Sequence, residues 1–363
     1  MKTQKIVILA LLAFGCLVAC KDDELTTNSE NSFDVTVLLT DVTNNEILVS
    51  VTDFNNEAEN LNIAIETYLN EINEENLIQV RNQWRITALS YARTYGFNIG
   101  QIRDQFFHQA LYNWPTLPNA IENFITNNKV INEENIATFS PQVKTLSGLE
   151  YLIFGDDIDD VNQGFETSEN RRDYLRLTAV ELQDRANRLI NTWQESGENY
   201  ANTFINSNET GIDDSFNLLY NGFFNLIDTG KVTKVGKPAG LENSQNTNPE
   251  SVQAYFSESS LDILRSNIES VERVYFAPQG LGISDYVFSV IRNNELNDQM
   301  QSKINEVYEA IDTIPVSLFQ AITDNPNEVA VLHQKLEELG ILFSVDVRSI
   351  LSIIITTTDN DGD

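Results

Sequence analysis

Histidine, cysteine and basic side chains are scarce in this 363-residue chain. Its two histidines, His108 and His333, lie far apart, and neither belongs to a His-Glu-x-x-His run, which all but excludes a zinc peptidase of the usual design. A serine-protease triad needs a histidine base beside a nucleophile and an acid, and nothing in the sequence specifies such a pairing. The two cysteines, Cys16 and Cys20, sit together near the amino end. No thiol remains beyond them for a disulfide or a cysteine metal site, so core packing carries the stability of the rest. Lysine and arginine number 23 against 54 acidic residues, a net charge of −31. Such a chain repels phosphate backbones, and no nucleic-acid partner is expected.

What is present begins at the amino end. Lys2 and Lys5 precede an uncharged apolar stretch from Ile6 to Val18, the layout of a secretion signal. The stretch falls short of the roughly 20 residues a permanent membrane helix needs. It ends in Leu17-Val18-Ala19-Cys20, which resembles the lipobox of bacterial lipoproteins. That resemblance implies cleavage after residue 19, a diacylglycerol anchor on Cys20 that makes the membrane a partner, and loss of Cys16 with the signal. Removal of residues 1–19 takes away Lys2 and Lys5 and no acid, moving the net charge from −31 to −33. Lys21-Asp22-Asp23-Glu24 resembles the Lys-plus-acidic signal that sends lipoproteins to the outer face of the outer membrane. Residues 20–32 are polar and aperiodic and read as a flexible tether.

From residue 33 the dominant signal is helical periodicity. Leu175, Ala179, Leu182, Ala186, Leu189 and Trp193 alternate steps of four and three, the stripe of an amphipathic helix in a bundle. Similar stripes run through Leu61, Ile65, Tyr68, Leu69 and Ile72; through Leu77, Val80, Trp84, Ala88 and Tyr91; through Leu261, Leu264, Ile268, Val271 and Tyr275; and through Met300, Ile304, Val307 and Ile311. The opening Phe33–Leu39 fits a strand or the start of a helix. Turn chemistry is dense at Gly155–Gly164, Ser196–Asp214 and Gly236–Pro249. A boundary within 198–213 divides the chain into an amino-terminal helical domain, 33–205, and a carboxyl-terminal one, 206–363. At 41% hydrophobic residues, the chain can bury one large core or two smaller ones.

The segment Lys144-Thr145-Leu146-Ser147-Gly148-Leu149-Glu150-Tyr151-Leu152-Ile153-Phe154-Gly155 resembles the signature of the imelysin family. Trp84 with Tyr91 and Tyr95, Asn113-Trp114-Pro115, Arg171–Leu175 leading to Trp193, and Ser257–Leu261 leading to Asn267 agree in order. The resemblance spans residues 40–363. It implies an all-α protein of two helical-bundle domains with a functional site where they meet. The family is grouped with peptidases and includes iron-regulated envelope proteins, so the ligand it points to is iron or another divalent cation. Its Gly-x-His-x-x-Glu motif falls here on Thr145, Ser147 and Glu150: the glutamate is kept and the histidine is not. A His and Glu three apart on a helix can share a metal ion, whereas a serine hydroxyl is a poor zinc ligand.

Glu150 is therefore the principal candidate, as ligand-binding residue and metal ligand. A buried carboxylate must be paired, hydrogen-bonded or bound to a cation, and Arg171 or Arg172 is available for pairing. By family analogy Ser147, Tyr151, Trp114, Arg172, Tyr255 and Ser257 line the same cleft. No catalytic residue is assigned. His108 and His333 read as hydrogen-bonded helix residues. Asp156-Asp157-Ile158-Asp159-Asp160 reads as a charged turn, and Asp359–Asp363 as a solvated terminus that lacks the distal glutamate of a calcium loop. The expectation is a surface lipoprotein that binds rather than cleaves, in iron or haem-linked uptake with an envelope transport partner. A peptidase and a non-enzymatic surface scaffold are the alternatives.

Overall fold

Each apolar stripe folds as a helix, and no strand occurs among the described residues. The computed structural model describes residues 33–127, 131–207, 211–243 and 245–356. Cys20, the signal, the tether and Asp359–Asp363 lie outside them. Among the described residues no helix is long and apolar enough to cross a membrane.

The opening segment is helical. Helix α1 (Val35–Val42) passes through a π-helical turn, Thr43–Ile47, into α2 (Leu48–Asn70). Asn73 caps α3 (Glu74–Thr94) by accepting from the Asn76 N–H, satisfying a donor that the first turn cannot. The chain continues through α4 (Pro118–Thr126), α5 (Leu146–Phe154), α6 (Ile158–Thr167) and α7 (Glu169–Trp193). It then forms α8 (Ser215–Thr229), α9 (Ser260–Phe276), α10 (Glu295–Asp312) and α11 (Pro326–Ile341). The break read at Gly155–Gly164 is shorter than its composition suggests. Asp157 caps α6, and Asp159 and Asp160 fall in its first turn, where the helix dipole favours negative charge.

Burial follows the stripes. All six stripe residues of α7 are buried, as are the five of α3 and the four of α10. Leu261 and Ile72, at the ends of their stripes, are half-buried. Helix α2 packs against α3 and α7, while α10 packs against α11, which also meets α8. Helix α3 reaches across to α9. From Val35 onward the chain forms one compact unit, and it is the α3–α9 contact that brings the α5 region and the loop before α9 together.

Candidate functional site

Helix α5 is apolar on nearly every side, and such a helix is stable only when surrounded by protein. All its residues from Leu146 to Ile153 are buried except Tyr151, which is half-buried. Gly148 permits this depth, because a Cβ there would stand 2.4 Å from the Val143 carbonyl oxygen. Trp84 pins the first turn, its indole N–H donating to the Leu146 carbonyl at 2.9 Å. The result is that Glu150 sits in the interior, 1% exposed.

The Gln253–Ser259 loop covers it. Ala254 and Glu258 both lie in the left-handed region at φ 57°, a conformation costly for residues with a Cβ and held here by the loop's own bonds. The Ser259 N–H donates to the Ala254 carbonyl at 3.2 Å, and the Ser260 hydroxyl donates to the Gln253 carbonyl. So folded, the loop aims the Ser257 N–H at Glu150 Oε1, 2.8 Å away. Burial pushes the Glu150 carboxyl up to about 7, against the opposing pull of donors on Ser257 and Phe256 and the charge of Arg85.

Four Asp, Glu, Lys or Arg side chains are buried among the described residues: Glu46, Lys144, Glu150 and Lys234. Arg273 meets Glu46 at 2.7 Å. Lys144 donates to the Ile136 and Ala137 carbonyls, with Glu181 at 3.5 Å. Glu150 and Lys234 make no ion pair among the described residues. Lys234 donates to Asn267 Oδ1, its ammonium lying 5.6 Å from the Tyr95 ring centre and 5.8 Å from that of Trp114. Burial lowers this amine to about 7.

A cavity of about 90 Å³ opens beside Glu150, walled by Trp114, Pro115, Tyr255 and Phe256, with the exposed Glu250 also on its lining. The structure therefore brings Glu150, Trp114 and Tyr255 together around one space and sets Ser257 against the carboxylate. Tyr151 stacks obliquely on Phe256 at 5.3 Å and donates its hydroxyl to Glu122. Ser147 donates to the Asn113 carbonyl and contacts the Thr145 hydroxyl, which ties down the segment that carries Trp114. Arg172 is not brought to the site: its guanidinium donates to the Phe165 and Glu166 carbonyls. Arg171 pairs with Glu122 at 2.6 Å. Neither arginine forms the pairing with Glu150 that their proximity in sequence offered, because α7 presents both toward the α4 and α6 side. Sequence reasoning missed Phe256, Glu250, Lys234 and Tyr112, whose hydroxyl feels the Glu150 charge. Only the resemblance of Ser257 and Tyr255 to family positions pointed at their loop.

The donor set does not fit a protein-held metal. No group of three His, Cys, Asp or Glu side chains converges among the described residues, and the Ser147 hydroxyl is committed to Asn113. His108 Nδ1 lies 3.0 Å from the Asn98 amide nitrogen, and His333 Nε2 2.6 Å from Glu242. Both are bound elsewhere.

An all-helical protein with a carboxylate buried behind an aromatic-walled cavity is the class these features define. The chain belongs to the imelysin family: the family profile described as Imelysin, peptidase M75, matches residues 47–342. The fold is shared with a protein described as an iron-regulated protein A precursor from Parabacteroides distasonis, at a TM-score of 0.71 and 18% identity over 86% of this chain and 94% of that one. An imelysin-like protein from Psychrobacter arcticum is similar at a TM-score of 0.73 and 17% identity, covering 89% and 96% respectively. No curated protein matches the sequence.

Proposed function

We propose that the protein is a lipid-anchored binding component of the cell envelope, held through Cys20 at the outer membrane, that serves iron-linked uptake and receives its cargo at Glu150. The observation that carries this reading is a fully buried carboxylate that forms no ion pair among the described residues. Glu46 shows that the fold supplies an arginine where a buried acid is structural. At Glu150 the missing positive charge is left to the cargo, which also meets Trp114 and Tyr255 on the cavity wall. Membership of the imelysin family and the fold shared with an iron-regulated protein support the iron link.

The size of the cavity narrows the cargo. A water occupies about 10–15 Å³ on the same measure, so about 90 Å³ admits a small group and not a porphyrin. The cargo is thus iron as a small hydrated cation that keeps most of its own water ligands, rather than haem. An envelope transport partner then receives it. The test is growth on limiting ferrous iron of cells whose only copy carries Glu150→Gln. Slow growth with normal membrane abundance is expected, and growth equal to wild type would remove the role.

A further inference from the structure

Glu150 is one of two acids on its cavity. Glu250 is the other, and every further residue of the lining is uncharged. The two differ in depth: Glu150 is 1% exposed, whereas Glu250 stands open to solvent. Together they lead from the surface to the interior along a wall that includes Trp114 and Tyr255. The Glu250 carboxylate lies on the side of that wall, since the Tyr255 hydroxyl, raised mainly by burial, also feels its charge.

Glu250 is both reachable and uncommitted. Among the described residues its carboxylate accepts no hydrogen bond and meets no basic side chain. Its backbone is nonetheless fixed. Pro249–Ser251 forms a single 3₁₀ turn. Ahead of it the Asn248 N–H donates to the Pro238 carbonyl at 2.8 Å, and the Ser251 hydroxyl donates back to the Asn248 carbonyl at 2.7 Å. Val252, the next residue, is buried. A carboxylate carried on so constrained a turn loses little freedom when it meets a ligand.

Size and charge select that ligand. The cavity of about 90 Å³ holds roughly six to nine waters at about 10–15 Å³ each. That is the space of one cation with an octahedral shell of about six oxygens. One carboxylate leaves a divalent ion half neutralised, whereas two match its charge and a monovalent ion would leave one of them unbalanced. Hard divalent cations are commonly held by one or two carboxylates with water completing the shell. We propose, on the basis of the cargo role given to Glu150, that Glu250 is the second carboxylate of the same site and makes it selective for a hydrated divalent metal cation. Glu250 meets the ion from the solvent side and Glu150 from the interior.

The test uses the purified full chain and manganese(II), an air-stable divalent probe suited to carboxylate and water ligands. Free manganese is followed by electron paramagnetic resonance in about 0.15 M sodium chloride, which screens attraction by distant surface charge. Wild type is expected to hold one ion, displaced by ferrous sulfate added without oxygen. Glu250→Gln is expected to weaken binding about tenfold or more, because ligand charge sets affinity at such sites, with an unchanged melting temperature. Glu59→Gln removes an exposed acid of α2 that does not line the cavity, and should change binding less than about twofold because its charge is screened. Loss of binding in Glu150→Gln with wild-type affinity in Glu250→Gln would overturn the role of Glu250 and leave that of Glu150 standing. No saturable binding to wild type, or equal affinity in Glu150→Gln, would overturn both. Equal losses in Glu59→Gln and Glu250→Gln would reduce the effect to overall charge and overturn the role of Glu250.

Discussion

Glu150 and Lys234 bring opposite charges into the interior without sharing them, and each leaves a pH signature. For Glu150 the carboxyl moves from 4.5 to about 7 on folding. The folded chain therefore holds a proton that the unfolded chain has lost between those values, and stability falls as pH rises through that window. Glu150→Gln keeps the volume and the acceptor for the Ser257 N–H. It should flatten this fall and gain up to about 3 kcal/mol above pH 7, since each tenfold change in proton affinity is worth about 1.4 kcal/mol. Melting curves across pH 4 to 8 check this, and a large loss of stability in the variant would point to a hidden cationic partner. Lys234 runs the other way. Its amine drops from 10.5 to about 7, so the unfolded chain binds the extra proton and stability rises with pH between those values. Lys234→Met should abolish that rise and be at least as stable as wild type at neutral pH, as denaturant titration at pH 7 and 10 would show. Glu150 was legible in the sequence because it falls on the glutamate of the segment that resembles the family signature. Lys234 was not, since nothing local distinguishes it from a surface lysine: its burial is imposed by Tyr95, Trp114 and Asn267, all distant in sequence.

At the scale of elements, periodicity carried the long helices well, because α3, α7 and α10 each bury one face and the stripe is the record of that face. It was weakest where local chemistry and tertiary packing compete. The aspartates after Gly155 look like a loop but cap and begin α6, and Val35–Val42 is rich in β-branched residues yet helical because its apolar side chains pack inward. The Gln253–Ser259 loop has no period at all, and its shape comes from serine-to-carbonyl bonds and two left-handed residues. Helix α5 offers the sharpest test at this scale. Gly148→Ala places a methyl against the Val143 carbonyl and should cost about 1–3 kcal/mol, the usual range for overpacking. Urea unfolding would measure it, and an unchanged midpoint would mean that α5 can move away from Val143 freely.

At the scale of the whole molecule, the proposed lipid anchor on Cys20 is joined to an acidic chain in which no helix among the described residues is long and apolar enough to cross a membrane. Acyl chains would then be the principal hold on the membrane. Cys20→Ser should release the protein into the soluble fraction with its melting behaviour unchanged, because Cys20 is not part of the unit that begins at Val35; continued membrane fractionation of the intact variant would refute the anchor. Family membership carries a peptidase label, yet no three metal-ligating side chains converge among the described residues. Purified protein is expected to leave unfolded casein uncut with or without zinc. Cleavage lost in Glu150→Gln would show that expectation wrong. Whether the buried carboxylate of Glu150 waits for a cargo is decided by calorimetric titration of the folded wild-type and Glu150→Gln chains with ferrous sulfate, without oxygen and at neutral pH. Saturable single-site binding to wild type is expected, weakening about tenfold or more in the variant, a loss of at least about 1.4 kcal/mol. Absence of binding to wild type, or equal affinity in the two proteins, would contradict a cargo role for Glu150.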